Sequence, residues 1–134
     1  MANVEHIAIR SDRDVLLARQ RGRALGETLG FVSTDLTLIA TAISELARNI
    51  VTYARVGELE LRLVSDDSRR GLVIVARDQG PGIPDIERAM QDGYSTSGGL
   101  GLGLPGVKRL MDTFEIVSQP SCGTTVLIAK WIRN

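Results

Sequence analysis

Cysteine is nearly absent: Cys122 is the only one in 134 residues. One thiol cannot close an intrachain disulfide or build a cysteine-based metal site, and a reducing compartment suits that count. Aromatic side chains are scarce at 4%, which leaves no platform for stacking bases. Net charge is missing too. Sixteen basic and sixteen acidic residues cancel, so no overall field draws the chain to nucleic acid or an anionic membrane. No apolar run approaches membrane-spanning length. Met1-Ala2-Asn3-Val4-Glu5-His6 lacks the basic start and apolar stretch of a secretion signal. A cytoplasmic protein is the expectation.

What remains is ordinary globular material, 43% hydrophobic and 24% charged, which makes disorder a poor description. The length suits one domain over residues 1–134, large enough to bury a core without staples. A first strand carries His6. Ser11 and Asp14 mark the start of a helix that Gly30 stops. Ser33 opens a longer helix whose apolar positions run Leu36, Ile39, Ala40, Ile43, Leu46, Ala47, Ile50 and Ala54, the spacing of a half-buried helix ended by Gly57. The period then becomes two. Leu59, Leu61 and Leu63 alternate with Glu58, Glu60 and Arg62, as in a strand with one wet or partner-covered face. Leu72-Val73-Ile74-Val75-Ala76 reads as a strand buried on both faces. After the break from Asp78 to Pro84 come a short helix to about Met90, a loop over 93–99 and a helix from about Leu104 to Asp112. Phe114–Val117 and Thr124–Ala129 form a final hairpin. A two-layer α/β sandwich of a mixed β-sheet and helices is the simplest packing of that order.

Four short elements carry the chemistry. Glu45 and Asn49 stand four apart and share a helix face. An acid and an amide there suit a metal-bound water, Mg²⁺ or a substrate hydroxyl, although on these two residues alone a solvated face is the simpler explanation. Asp78-Gln79-Gly80-Pro81-Gly82 follows the buried strand, where an acid can accept a hydrogen bond from a ligand amino group and glycines admit a flat ring; a tight turn is the plain alternative. Gly98-Gly99-Leu100-Gly101-Leu102-Gly103-Leu104 leaves backbone N–H groups free to converge on phosphate oxygens just before a helix start. Its formal match to a dinucleotide fingerprint, Gly101 to Gly106, fails because no buried strand precedes it. Gly123-Thr124-Thr125 opens the last strand, where hydroxyls could support that acid through a water; a hairpin turn running into a strand rich in β-branched residues explains them at least as well. Cys122 reads as inert. Arg13, Arg19, Arg21 and Arg23 form either a solvated face or a docking surface for an acidic partner.

Taken together, the four elements resemble the ATPase fold shared by gyrase, Hsp90, histidine kinases and MutL, the GHKL or Bergerat fold, over essentially the whole chain. Histidine kinases add a helical domain with a phospho-accepting histidine, a role that His6 on an edge strand does not suit. Ser44-Glu45-Leu46-Ala47-Arg48-Asn49-Ile50, Asp78 to Asp85 and Tyr94 to Gly101 resemble the RsbT-type switch kinases of the anti-sigma-factor kinase branch. That resemblance implies an ATP- and Mg²⁺-dependent protein serine/threonine kinase. Its substrates would be STAS-domain proteins of the stressosome, and its output enzyme a PP2C-type phosphatase. It also implies that Glu45 is the general base and that Asn49 is the Mg²⁺ ligand. Nucleotide contacts fall on Asn49, Asp78, Gly80, Gly82, Ile83, Gly98, Gly99, Leu100, Gly101, Leu102, Gly103, Thr124 and Thr125, the second glycine segment belonging to a lid. Two alternatives stay open: an anti-sigma factor kinase that sequesters a sigma factor, and a binding module switched by nucleotide without catalysis.

Overall fold

The computed structural model describes residues 3–82, 90, 103–119 and 121–132. The elements run β1 (Asn3–Ile9), α1 (Asp12–Leu29), α2 (Ser33–Asn49), a π-helical turn (Ile50–Ala54), β2 (Gly57–Ser65), β3 (Arg70–Asp78), α3 (Gly103–Leu110), β4 (Thr113–Gln119) and β5 (Gly123–Trp131). The helix expected near 84–90 and the loop expected over 93–99 lie outside the described residues, Met90 excepted.

The strands stand in the order β1-β2-β3-β5-β4. Every neighbouring pair is antiparallel, so the expected mixed sheet is corrected to an antiparallel one. β4 does run parallel to β3, but the β4–β5 hairpin sets β5 between them. Burial explains the choice. β5 carries Val126, Ile128, Ala129 and Lys130 into the interior, whereas β4 only alternates between half-buried and exposed positions. The better-buried strand takes the inner slot and β4 becomes the edge.

Alternation divides the sheet into two faces. Ile7, Ile9, Leu59, Leu61, Leu72, Ile74, Ala76, Val126 and Ile128 join one apolar cluster with Val15, Ala18, Ile39, Ile43 and Leu46 of the helices. Val73, Val75 and Ala129 gather on the opposite face. α1 crosses α2 closely: a Cβ at Gly22 would come within 2.1 Å of Ile43 Cδ1. A side chain there would force the two helices apart.

The helix ends differ in part from expectation. Asp14 supplies the side-chain cap of α1 by accepting from Arg10 N at 2.9 Å, and the Ser11 hydroxyl makes no bond to the helix backbone. Gly30 ends α1 in the left-handed region, with its N–H and that of Phe31 returning to Gly26 O at 3.1 Å. Val32, not Ser33, caps α2. The long helix does not run to Ala54 as an α-helix; it passes into the π-turn at Ile50. Lys130, 8% exposed, donates to Leu110 O at 2.9 Å and so ties the C-terminal end of α3 to β5.

The polar positions of β2 are more buried than alternation alone implies. Glu60 is 6% exposed. It pairs with Arg62 and lies 3.3 Å from Arg77 Nη1. Burial pushes the Glu60 carboxyl up, but hydrogen bonds and charge from Arg62 and Arg77 outweigh it and hold the carboxyl below the usual range. A folded-state pKa below the unfolded value stabilises the protein above the unfolded pKa, and that stability is lost as pH falls through the folded pKa. Glu60→Gln should therefore cost on the order of 1–3 kcal/mol at neutral pH. In urea unfolding the gap to the parent should narrow steadily below about pH 4, near the ordinary glutamate value. A gap unchanged between neutral and acidic pH would show that Glu60 does not act through its charge.

Candidate functional site

The site residues converge where β3 ends. Asp78 is the last residue of β3 and is half-buried. Its Oδ1 accepts from Gly80 N at 2.9 Å and from Thr124 N at 3.2 Å. Register makes the second bond possible, because Thr124 lies directly opposite Asp78 across the β3–β5 pair. Gly123 lets the strands meet there: it has φ +87°, and a Cβ on it would sit 2.1 Å from Asp78 O. Gly80 turns under the π-turn, where a Cβ would meet Ala54 Cβ at 2.7 Å. Gly82 adopts φ +81°, consistent with a turn.

The end of α2 reaches the same rim. Gly57 pairs with Asp78 across β2–β3. A Cβ on Gly57 would touch Ile50 Cγ2 at 2.7 Å and Asp78 Cβ at 3.2 Å. Asn49 is the last residue of α2, immediately before Ile50. Its Oδ1 is buried and has no hydrogen-bond partner among the described residues. One turn earlier, Glu45 is only 2% exposed, which removes the solvated-face explanation for it. Its Oε1 lies 3.7 Å from Arg48 Nη1. A buried, unbonded amide oxygen is a costly feature unless something binds it. It suits a hard cation, which takes oxygen ligands and keeps several waters. Among the described residues no cluster of three His, Cys, Asp or Glu could hold a metal on its own.

The structure does not bring Thr125 to this rim. It pairs with Arg77, so alternation turns it to the opposite face of the sheet from Asp78 and Thr124. The Thr124 hydroxyl is 2.7 Å from Ser118 Oγ. Ser118 also donates to Gly123 O at 3.2 Å. Sequence reasoning missed Ser118, although the hairpin register, which pairs it with Thr124, would have identified it. Gly103 starts α3 with φ +69° and is buried. Ile83, Gly98, Gly99, Leu100, Gly101 and Leu102 lie outside the described residues. His6 sits 3.3 Å from Glu58 on the edge strand. Cys122 is exposed and unpaired. Of the basic residues on α1, Arg21 is bound to Glu5 at 2.7 Å and Arg23 pairs with Glu27 at 3.6 Å.

An acid at a strand end, an amide oxygen on the neighbouring helix and a two-layer antiparallel sandwich suit a nucleotide-binding ATPase fold. Residues 34–133 match the family described as histidine kinase-, DNA gyrase B- and HSP90-like ATPase. The chain is 53% identical over 127 residues to the serine/threonine-protein kinase RsbT of Bacillus subtilis, covering 95% of this chain and 96% of that protein. It belongs to that ATPase family and, within it, to the RsbT-like serine/threonine-protein kinases. It is also 32% identical over 104 residues to an anti-sigma F factor of Caldanaerobacter subterraneus subsp. tengcongensis, covering 73% of this chain and 71% of that one. Among solved structures, the RsbU and RsbW domains of a Mycobacterium tuberculosis protein superpose with a TM-score of 0.69 at 17% identity over 98% of this chain. This chain spans 33% of that one. A mycobacterial sensor histidine kinase superposes with a TM-score of 0.56 at 18% identity, over 96% of this chain and 97% of that one. At such identities the structures speak for the fold alone. No helix among the described residues is long and apolar enough to cross a membrane.

The close approach at Gly123 has a direct consequence. Gly123→Ala would put a methyl group into Asp78 O and demand a left-handed backbone of an L side chain. A loss of about 2 kcal/mol or more is expected in denaturant unfolding. Nucleotide affinity should fall with it, because Thr124 N can no longer hold Asp78. Unfolding and nucleotide titration on the same variant check both.

Proposed function

We propose that this kinase transfers the γ-phosphoryl group of Mg-ATP to a serine or threonine of a STAS-domain scaffold protein of the stressosome, in bacterial stress signalling. It then leaves that scaffold to activate an output enzyme such as a PP2C-type phosphatase, all within the cytoplasm. The observation that carries the reading is the pair on α2: a buried Glu45 carboxylate one turn from a buried Asn49 oxygen that has no hydrogen-bond partner among the described residues. Kinship to RsbT supports the choice of a hydroxyl acceptor.

Each residue then has a distinct task. Asp78 spends Oδ1 on two amide bonds and presents Oδ2 to the adenine amino group. Thr124 steadies that acid, and Gly80 and Gly82 let the ring approach. Asn49 Oδ1 would hold Mg²⁺, which supplies charge neutralisation to the phosphates when bound. The glycine segment from Gly98 to Gly103, with Ile83 and the leucines Leu100 and Leu102, is assigned to the phosphates and their lid on the resemblance. Glu45 takes the proton from the acceptor hydroxyl as its oxygen bonds to the γ-phosphorus and the bond to the bridging oxygen breaks, releasing ADP. Thr125 has no part in this scheme. A second reading keeps the same chemistry but adds a sigma factor as the sequestered partner; similarity to anti-sigma F factors favours it.

Incubation with γ-radiolabelled ATP and purified candidate STAS-domain and sigma-factor proteins tests the proposal. Label should pass to the STAS protein, and the kinase should not hold the sigma factor. Glu45→Gln should bind Mg-ATP normally yet transfer roughly 10²–10⁴ times more slowly. Asn49→Ala should instead weaken Mg²⁺-dependent nucleotide binding. Transfer at the parent rate by Glu45→Gln would remove the base assignment. A stable complex with a sigma factor would favour the second reading.

Asp78 also predicts base selectivity. A guanine carbonyl would face a carboxylate acceptor with no proton between them. ATP should bind at least about tenfold more tightly than GTP, one hydrogen bond's worth of free energy. Asp78→Ala should remove that preference. Calorimetric titration of both nucleotides decides it, and equal affinities in the parent protein would refute the assignment.

A further inference from the structure

A groove of about 350 Å³ lies between α1 and α2, lined by Asp12, Val15, Leu16, Arg19, Ser44 and Arg48. Two of those residues bracket Glu45: Ser44 precedes it, and Arg48 follows by one helical turn. Arg48 is paired with Glu45. Its Nη1 lies 3.7 Å from Glu45 Oε1, while the Arg48 side chain is 45% exposed and that of Glu45 only 3%. The two side chains form a bridge, with the carboxylate end in the interior and the guanidinium end in the open groove.

The separation matters. At 3.7 Å the pair attracts through charge but is longer than a good N–H···O bond. A guanidinium at that range draws a carboxylate toward itself by charge and so helps to fix its orientation. A bidentate clamp would leave less of the carboxylate for a proton acceptor's work. Burial strengthens the effect, because charge interactions weaken less in the interior than in water.

We propose that Arg48 is a positioning residue for phosphoryl transfer: from the wall of the α1–α2 groove it holds the buried Glu45 carboxylate facing the acceptor hydroxyl. This rests on the reading of Glu45 as the general base. A purely structural role is the rival, since Arg48 also lies in the last turn of α2, where a cation is favoured by the helix dipole. The rival predicts lost stability. The positioning role predicts lost turnover that depends on Glu45.

A double-mutant cycle separates them. The parent, Arg48→Ala, Glu45→Gln and the double variant are compared in transfer to a STAS-domain acceptor at saturating ATP. Arg48→Ala should lower kcat about 10- to 100-fold, as misplacement of a reacting group does. Nucleotide Kd should stay within about twofold of the parent, the scatter expected when no contact is lost. Arg48→Lys, which keeps a cation at the same place, should recover part of that kcat. In the Glu45→Gln background Arg48→Ala should cost nothing further, because the group it orients is gone. Equal losses from Arg48→Ala in both backgrounds would overturn the positioning role and leave the base assignment standing. Unchanged kcat with a lowered Tm would establish the structural rival. If Glu45→Gln itself transfers normally, the base reading fails and this inference falls with it.

Discussion

Three segments are tied together at Asp78. Its Oδ1 receives the N–H groups of Gly80 and Thr124, its main-chain oxygen lies against Gly123, and Gly57 pairs with it from β2. Hydrogen bonds to an ionised acceptor are stronger than neutral ones, so this is a firm anchor for the end of β3. The same bonds set the rotation of the carboxylate. Orientation is thus established by folding and does not wait for a ligand, which is the preorganisation a binding site requires.

The end of α2 shows how a backbone irregularity can serve that rim. The helix changes from α to π at Ile50, and Arg55 N returns to Ile50 O at 2.7 Å. Arg55 then adopts φ +71°, an unfavourable region for a side chain of its size. π-turns are often found at functional sites. Here the reason is steric. Ala54 must settle against Gly80 and Ile50 against Gly57, positions where a Cβ would clash. The wider turn lets both contacts form while leaving Asn49 at the last regular position of the helix.

Much of this was legible in the residues. End signals at Ser11, Asp14 and Gly30 located the first long helix, three-and-four spacing the second and period-two spacing β2, and the run Leu72 to Ala76 announced a strand buried on both faces. Asp78, Gly80 and Thr124 were likewise recognisable, and contacts join all three. What escaped depended on partners distant in the chain. Ile50 and Ala54 continue the apolar spacing of α2, yet Ile50–Ala54 is a π-turn that packs against Gly57 and Gly80. Strand direction could not show that β5 would separate β4 from β3. Thr125 failed for a simpler reason: it neighbours Thr124 in sequence, but a pleated strand sends the two to opposite faces. Glu45 read as surface by its charge, yet it is buried, and charge alone could not show that.

The length of α2 therefore carries two opposed demands. Leu36, Ile39, Ile43 and Leu46 form a buried apolar stripe that holds the helix to the sheet. Burial of such side chains stabilises by about 1.5–3 kcal/mol each. Beside that stripe, Glu45 puts a carboxylate into the interior and Asn49 leaves a buried oxygen unbonded. Both are unfavourable for folding, the second by about 1–3 kcal/mol. Neither would be chosen for stability, since an apolar residue at position 45 would pack without desolvating a charge. Departures from folding consistency concentrate where function requires them. Phosphoryl transfer asks the protein chiefly for positioned charge and positioned oxygen ligands. A helix stabilised along one stripe can hold both of these rigidly along the next, and the apolar stripe offsets the cost of the pair it supports.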